Sequence, residues 1–221
     1  MKDEKTFILG VGAQKAGTTW LYEYIQSSPN ANFGQLKEYQ YLNSIHPKNK
    51  KRVALLQKKI LDLNSNDLLR RTMLEVNDYY YHYFNAIVNT GVNITGDITP
   101  QYSRLSGLEY KFFKKNIEKF GFKVKVIFIL RDPVQRIWSN IRMERNVFQN
   151  ISRNISDSEA VQRIYKNDNW RWDTEYKRTI KNLTYGFDKK DLYIGIFEEM
   201  FNEKKVKELS DFVGIDFNPS M

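Results

Sequence analysis

Residues 7–25 read FILGVGAQKAGTTWLYEYI, and the order of parts within them decides the fold. Phe7, Ile8, Leu9 and Val11 make the short apolar run of an interior parallel strand. Gly10, Gly12 and Gly17 free the backbone after it, and Thr18 and Thr19 stand where a helix begins. Backbone N–H groups at such a helix start point at an anion, so the stretch reads as a phosphate cradle. The plainer reading is a glycine-rich turn that binds nothing; the sequence strand, loop, helix is the context that favours the cradle.

The nucleoside-triphosphate form of this loop is G-x-x-x-x-G-K-[ST], with its lysine on the β- and γ-phosphates and its hydroxyl on magnesium. Gly12 and Gly17 keep the glycine spacing, but Thr18 occupies the lysine's place and the lysine lies inside the loop as Lys15. That arrangement suits a nucleotide whose 5′ end is not a triphosphate, held by hydroxyls with no obvious metal.

A second phosphate-binding pattern follows the clearest strand of the chain, residues 123–130, KVKVIFIL. It runs directly into Arg131-Asp132-Pro133, where Asp132 suits the N-cap and Pro133 the first position of a helix carrying Arg136, Trp138, Ser139 and Met143. Arg131 offers a planar fork matched to phosphate, and Ser139 follows at a spacing of 139 − 131 = 8. On its own this is an ordinary capped strand-to-helix turn; beside the loop it gains meaning.

QKAGTTWL at 14–21 resembles the 5′-phosphosulfate loop of sulfotransferases that use 3′-phosphoadenosine-5′-phosphosulfate (PAPS), and RDPVQRIWSN at 131–140 resembles their 3′-phosphate site. The resemblance implies that Gln14, Lys15, Ala16, Gly17, Thr18, Thr19, Trp20, Arg131 and Ser139 hold the donor without a metal, and that Lys15 neutralises charge on the bridging oxygen. It implies a three-layer α/β fold of the P-loop type with a mostly parallel sheet, its strands near Phe7, Asn32, Ile94, Val126 and Tyr193.

Two further segments match the family on its acceptor side. Lys37-Glu38-Tyr39-Gln40-Tyr41 is similar to a lysine-glutamate-x-x-aromatic segment whose glutamate takes the acceptor's proton, with Gln40 where a histidine is often found. Glu38 is accordingly the candidate base, and Lys37 a contact for donor or acceptor. GVNITGDITPQY at 91–102 is similar to the family's glycine-glutamate-x-[TS]-proline-x-tyrosine segment; Asp97 is a second carboxylate candidate or an Asx-turn partner before Pro100, and Ile98 replaces a frequent lysine. His82, in a tyrosine-rich helix, is the alternative base; His46 ranks below it. Trp170 and Trp172, in a polar segment between two helices, read as sugar-stacking or lid-anchoring residues.

The rest of the chain sets the frame. Helical patterns cover 19–27, a lysine-rich stretch with Val53, Leu56, Ile60 and Leu63, then 68–88, 157–165, 176–185 and 203–213. With 221 residues, 41% hydrophobic, and no linker-like segment, one sulfotransferase domain over 1–221 is expected. The family continues past this point with a C-terminal segment, so the chain is either truncated or a shorter version.

No cysteine is present, which rules out thiolate chemistry and disulfides and agrees with a reducing, cytoplasmic setting. No run is long enough to span a membrane. The net charge of +9 attracts anions, but its cations are scattered apart from Lys48–Arg52 and no nucleic-acid motif accompanies them. The expected partner is a hydroxyl- or amine-bearing small molecule or glycan. Rival readings are a P-loop kinase using magnesium and ATP, and a non-catalytic polyanion-binding module.

Overall fold

The structure, a computed structural model, describes residues 4–45, 64–148, 151, 154–166 and 172–219. The expected helix with Val53, Leu56, Ile60 and Leu63, the basic cluster Lys48–Arg52, His46 and Trp170 lie outside the described residues.

Strand β1 (Lys5–Gly12) is the centre of the sheet because it is apolar on both faces: Phe7, Ile8, Leu9 and Val11 are wholly buried. It pairs in parallel with β2 (Ile94–Ile98) and with β3 (Phe122–Leu130), and β3 pairs in parallel with β4 (Leu192–Ile196). The sheet order is β2-β1-β3-β4, four strands all parallel. The strand expected near Asn32 reduces to a single parallel bridge, Ala31 with Ile94, flanked by the Asn32 N–H to Ile94 carbonyl bond. The polar residues and the Gly34 turn after it leave no apolar run to extend the pairing.

The helices are α1 (Thr18–Gln26), α2 (Tyr41–Ile45), α3 (Ser65–Glu75), α4 (Tyr79–Val88), α5 (Gly107–Glu118), α6 (Pro133–Met143), α7 (Asp157–Lys166), α8 (Tyr176–Gly186) and α9 (Glu203–Val213). The expected continuous stretch 68–88 divides into α3 and α4, because Val76 is extended and Asp78 takes a left-handed backbone, φ 55°.

Strand alternation places the layers. On one face the Phe7 ring meets Phe84 of α4 at 5.0 Å and Phe113 of α5 at 5.6 Å. On the other, Tyr193 of β4 meets Phe212 of α9, and Tyr24 of α1 shares a 2.6 Å hydrogen bond with Ser210 of α9. Each of the fully buried rings, Phe7, Phe84, Phe113 and Tyr24, contributes about 2–3 kcal/mol through removal of its surface from water.

Candidate active site

All four strands point their C-terminal ends at one edge of the sheet, where parallel α/β proteins form their ligand crevices. A cleft of about 510 Å³ opens there. Its lining comes from the loop after β1 (Gln14, Lys15, Gly17) and the start of α1 (Thr18, Thr19), from the segment Lys37, Glu38 and Gln40, from Pro100 and Gln101 after β2, from Arg131, Ser139 and Met143 after β3, and from Phe197 after β4. Chain segments separated by more than a hundred residues meet because, apart from residues 37–40, each continues from a neighbouring strand.

The loop is shaped by its glycines and by a break in strand pairing. The β1–β3 register shifts between Gly10 and Gly12, and the Ala13 N–H donates to the Ile129 carbonyl at 2.8 Å. Gly12 (φ 122°) has no room for a Cβ, which would stand 2.7 Å from the Pro100 carbonyl oxygen. Gly17 (φ 79°) is the N-cap of α1, and no side chain caps that helix, so its first N–H groups face the cleft without a side-chain acceptor.

Lys15 takes a left-handed backbone, φ 65°, fixed by the Arg131 guanidinium, which donates to the Lys15 carbonyl at 2.8 Å. Its Nζ lies 3.6 Å from Met143 Sδ. Partial burial holds the Lys15 ammonium below its ordinary pKa, and the cations Arg131, Arg142 and Lys37 push the same way. Three positive charges around one loop form a site that an anion would relieve. Arg131 stacks over the Phe197 ring at 4.4 Å, and its buried Nε has no hydrogen-bond partner among the described residues. Ser139 lines the cleft two helical turns along α6, whose start is capped by Asp132 accepting from Gln135 N–H at 2.8 Å.

Opposite the loop, Lys37 Nζ donates to Thr19 Oγ1 at 3.0 Å and pairs with Glu38 Oε1 at 3.2 Å. One lysine thus connects the α1 start to the candidate base. Asp97 lies beneath this wall and not in the cleft lining: it is fully buried. Its Oδ1 accepts from Tyr39 N–H (3.2 Å) and the Thr99 hydroxyl (2.6 Å), and its Oδ2 from the hydroxyls of Tyr80 (3.1 Å) and Tyr102. Burial pushes the Asp97 carboxyl up to about 6, against the opposing pull of those four donors.

Of the residues expected to hold the donor, Gln14, Lys15, Gly17, Thr18, Thr19, Arg131 and Ser139 are brought together in the cleft; Ala16 and Trp20 are not in its lining. Ala16 is buried with its N–H on the Ala13 carbonyl, and Trp20 stacks on Tyr24 at 5.0 Å and meets Phe201 edge-on. His82 is exposed, away from the cleft, its ring against Phe120. Trp172 carries the Arg178 guanidinium over its ring at 4.7 Å and lies outside the lining. Sequence reasoning passed over Gln101, Met143 and Phe197; only the Pro-x-Tyr motif around Gln101 offered a signal.

A parallel α/β sheet with a phosphate-type loop opening onto its C-terminal edge defines the class. Over residues 3–221 the chain matches the sulfotransferase domain family, and it belongs to that family. It is a sulfotransferase. Among solved structures it is similar to a sulfotransferase from Alicyclobacillus acidocaldarius (TM-score 0.63, 19% identity, 98% of this chain and 85% of that one). It is similar also to the sulfotransferase domain from the curacin biosynthetic pathway (TM-score 0.57, 15% identity, 97% and 75%). A third is the mouse sulfotransferase SULT7A1 complexed with PAP (TM-score 0.53, 15% identity, 100% and 62%). At these identities the likeness establishes the fold. No curated protein sequence gives a significant match. Among the described residues no helix is long and apolar enough to cross a membrane.

Proposed function

We propose that this enzyme moves a sulfuryl group from PAPS to a hydroxyl or amine of a carbohydrate or small metabolite. The observation that carries the reading is the convergence of Lys15, the uncapped α1 start and the Arg131/Ser139 pair in one cleft with Glu38 on its far wall. The residues fit such a donor: the unpartnered Arg131 Nε and the crowded cations around Lys15 both call for anionic groups. When bound, PAPS supplies the activated sulfuryl group.

The chain's own residues then divide the work. Arg131 and Ser139 hold the 3′-phosphate, which distinguishes this donor from ATP, while the N–H groups of the loop and the hydroxyls of Thr18 and Thr19 hold the 5′ end. Lys15 would neutralise the negative charge that grows on the departing oxygen, an electrostatic role. Glu38 takes the proton of the acceptor hydroxyl as it attacks, and Lys37 orients Glu38. The acceptor wall is polar, with Lys37, Glu38, Gln40 and Gln101, which suits an acceptor rich in hydroxyls or amines.

Calorimetry tests the donor assignment. Tight binding of 3′-phosphoadenosine-5′-phosphate (PAP) with weak binding of ATP, both without magnesium, is the expected result; tight ATP binding with no PAP binding overturns it.

A further inference from the structure

We propose that Asp97 is a positioning residue for the transfer: one buried carboxylate fixes both chain segments that present Glu38, Gln40 and Gln101 to the acceptor. The inference rests on the reading of Glu38 as the base.

The 38–40 segment has no helix or strand to hold it where it meets the cleft, and Pro100 and Gln101 sit in a single 3-10 turn, Pro100–Arg104. Residues 38–40 are irregular, and Gln40 takes a left-handed backbone, φ 58°. What replaces regular structure is a set of hydrogen bonds that converge on Asp97. The peptide leaving Glu38 has its N–H, that of Tyr39, on Asp97 Oδ1, and its carbonyl accepts from Arg70 at 3.0 Å. The next N–H, that of Gln40, goes to Thr99 Oγ1 at 3.2 Å, and the Thr99 hydroxyl in turn donates to Asp97. On the other segment, Tyr102 donates to Asp97 and sits beside Gln101 in the turn Pro100–Arg104. Tyr80 brings α4 to the same carboxylate. A carboxylate offers enough lone pairs for four donors, whereas the protonated acid gives up acceptor capacity and must donate. Protonation therefore reverses at least one hydroxyl tether and releases the charge that strengthens the others.

The groups facing Asp97 are Tyr39 from the 37–40 segment, Tyr80 from α4, and Thr99 and Tyr102 from the turn after β2. Tyr41 and Tyr81 stand behind Tyr80, and among the described residues no cation contributes to the shift of Asp97. Because burial has already pushed the carboxyl up to about 6, release falls just below neutral pH.

The test is hydrogen exchange on PAP-loaded wild type, Asp97→Asn and Asp97→Ala at pH 7.5 and pH 5, corrected for intrinsic rates. In wild type, opening that hydrates Asp97 gives up the proton its raised carboxyl binds, so peptides spanning 36–45 and 99–105 are expected to open about tenfold less at the lower pH, with peptides of α1, β3 and α6 unchanged. Asp97→Asn should lose that pH dependence. Asp97→Ala should open the two segments at both pH values while holding PAP within about threefold of wild-type affinity.

Transfer is read with whichever of N-acetylglucosamine, glucosamine or 4-nitrophenol wild type sulfates fastest; kcat should fall on the acid side near pH 6 and that limb should vanish in Asp97→Asn. PH-dependent opening that persists in Asp97→Asn, or opening that spreads through the whole sheet, overturns the proposal. A wild type that neither binds PAP nor sulfates these acceptors overturns the donor reading instead, and the same exchange comparison on the unliganded proteins then decides whether Asp97 holds the two segments.

Discussion

The two walls of the cleft are built on opposite principles. On the donor side, polar capacity is left unspent among the described residues: α1 starts without a side-chain cap, Arg131 Nε has no hydrogen-bond partner, and Lys15 is crowded by Arg131 and Arg142, with Lys37 adding to them from the facing wall. On the acceptor side, capacity is spent internally, with four donors converging on the buried Asp97. The donor wall is a site whose electrostatic debt a dianionic ligand settles. On the proposed reading, the acceptor wall is a scaffold that holds Glu38 still without needing the ligand.

Substitutions on the donor wall should therefore act on donor affinity and charge stabilisation, and those on the acceptor wall on proton transfer and geometry. The largest expected effect is Lys15→Ala, which removes the cation at the departing oxygen and should lower single-turnover transfer by about 10³-fold. Glu38→Gln should lower kcat by about 10²-fold and leave the PAP Kd by calorimetry unchanged; a changed Kd would dissolve the division between the walls. Arg131→Ala should weaken PAP by about 30-fold, in line with loss of a charge-assisted bond. Arg131→Lys should not restore it, because a point charge cannot span phosphate, the Lys15 carbonyl and the Phe197 ring together.

Asp97 supplies a stability test of opposite sign to most buried ion pairs. Its carboxyl rises from the ordinary 3.8 to about 6 in the fold, so the folded state binds a proton more readily than the unfolded chain. Stability on this account is highest below 3.8 and is lost as pH rises through about 6, by at most about 3 kcal/mol. The Tm of Asp97→Asn relative to wild type should thus be most favourable at pH 8 and less so at pH 5, a difference thermal melts at the two pH values will read. The smallest effect is expected for His82→Ala: less than about a twofold change in kcat, since the ring is exposed and remote from the cleft.

The donor wall was legible in advance because it is written in contiguous residues. Strand, glycine loop and helix start follow one another from Phe7 to Gln26, and Arg131 and Ser139 share one strand-to-helix unit, so local chemistry implied local geometry. Trp20 shows where contiguity misled: it neighbours Thr19 in sequence, but helical periodicity turns it away from the cleft onto Tyr24 and Phe201. The acceptor wall was only half legible. Glu38 stood out by resemblance, whereas Asp97, equally acidic and beside the same kind of aromatic residues, sits under the wall and not in it. Phe197, packed over Arg131 from the far end of the chain, carried no local mark at all.

The amino-acid sequence by itself determined the parallel α/β class, the succession of strand, glycine loop and helix, and the placing of Arg131 and Ser139 on one strand-to-helix unit, because these depend on hydrophobic period and on backbone freedom within a few residues. Only the tertiary structure decided which carboxylate lines the cleft. That choice depends on which side chains converge from α4, the 37–40 segment and the turn after β2, and burial of Asp97 among their donors is a property of those long-range contacts, with no counterpart in local spacing.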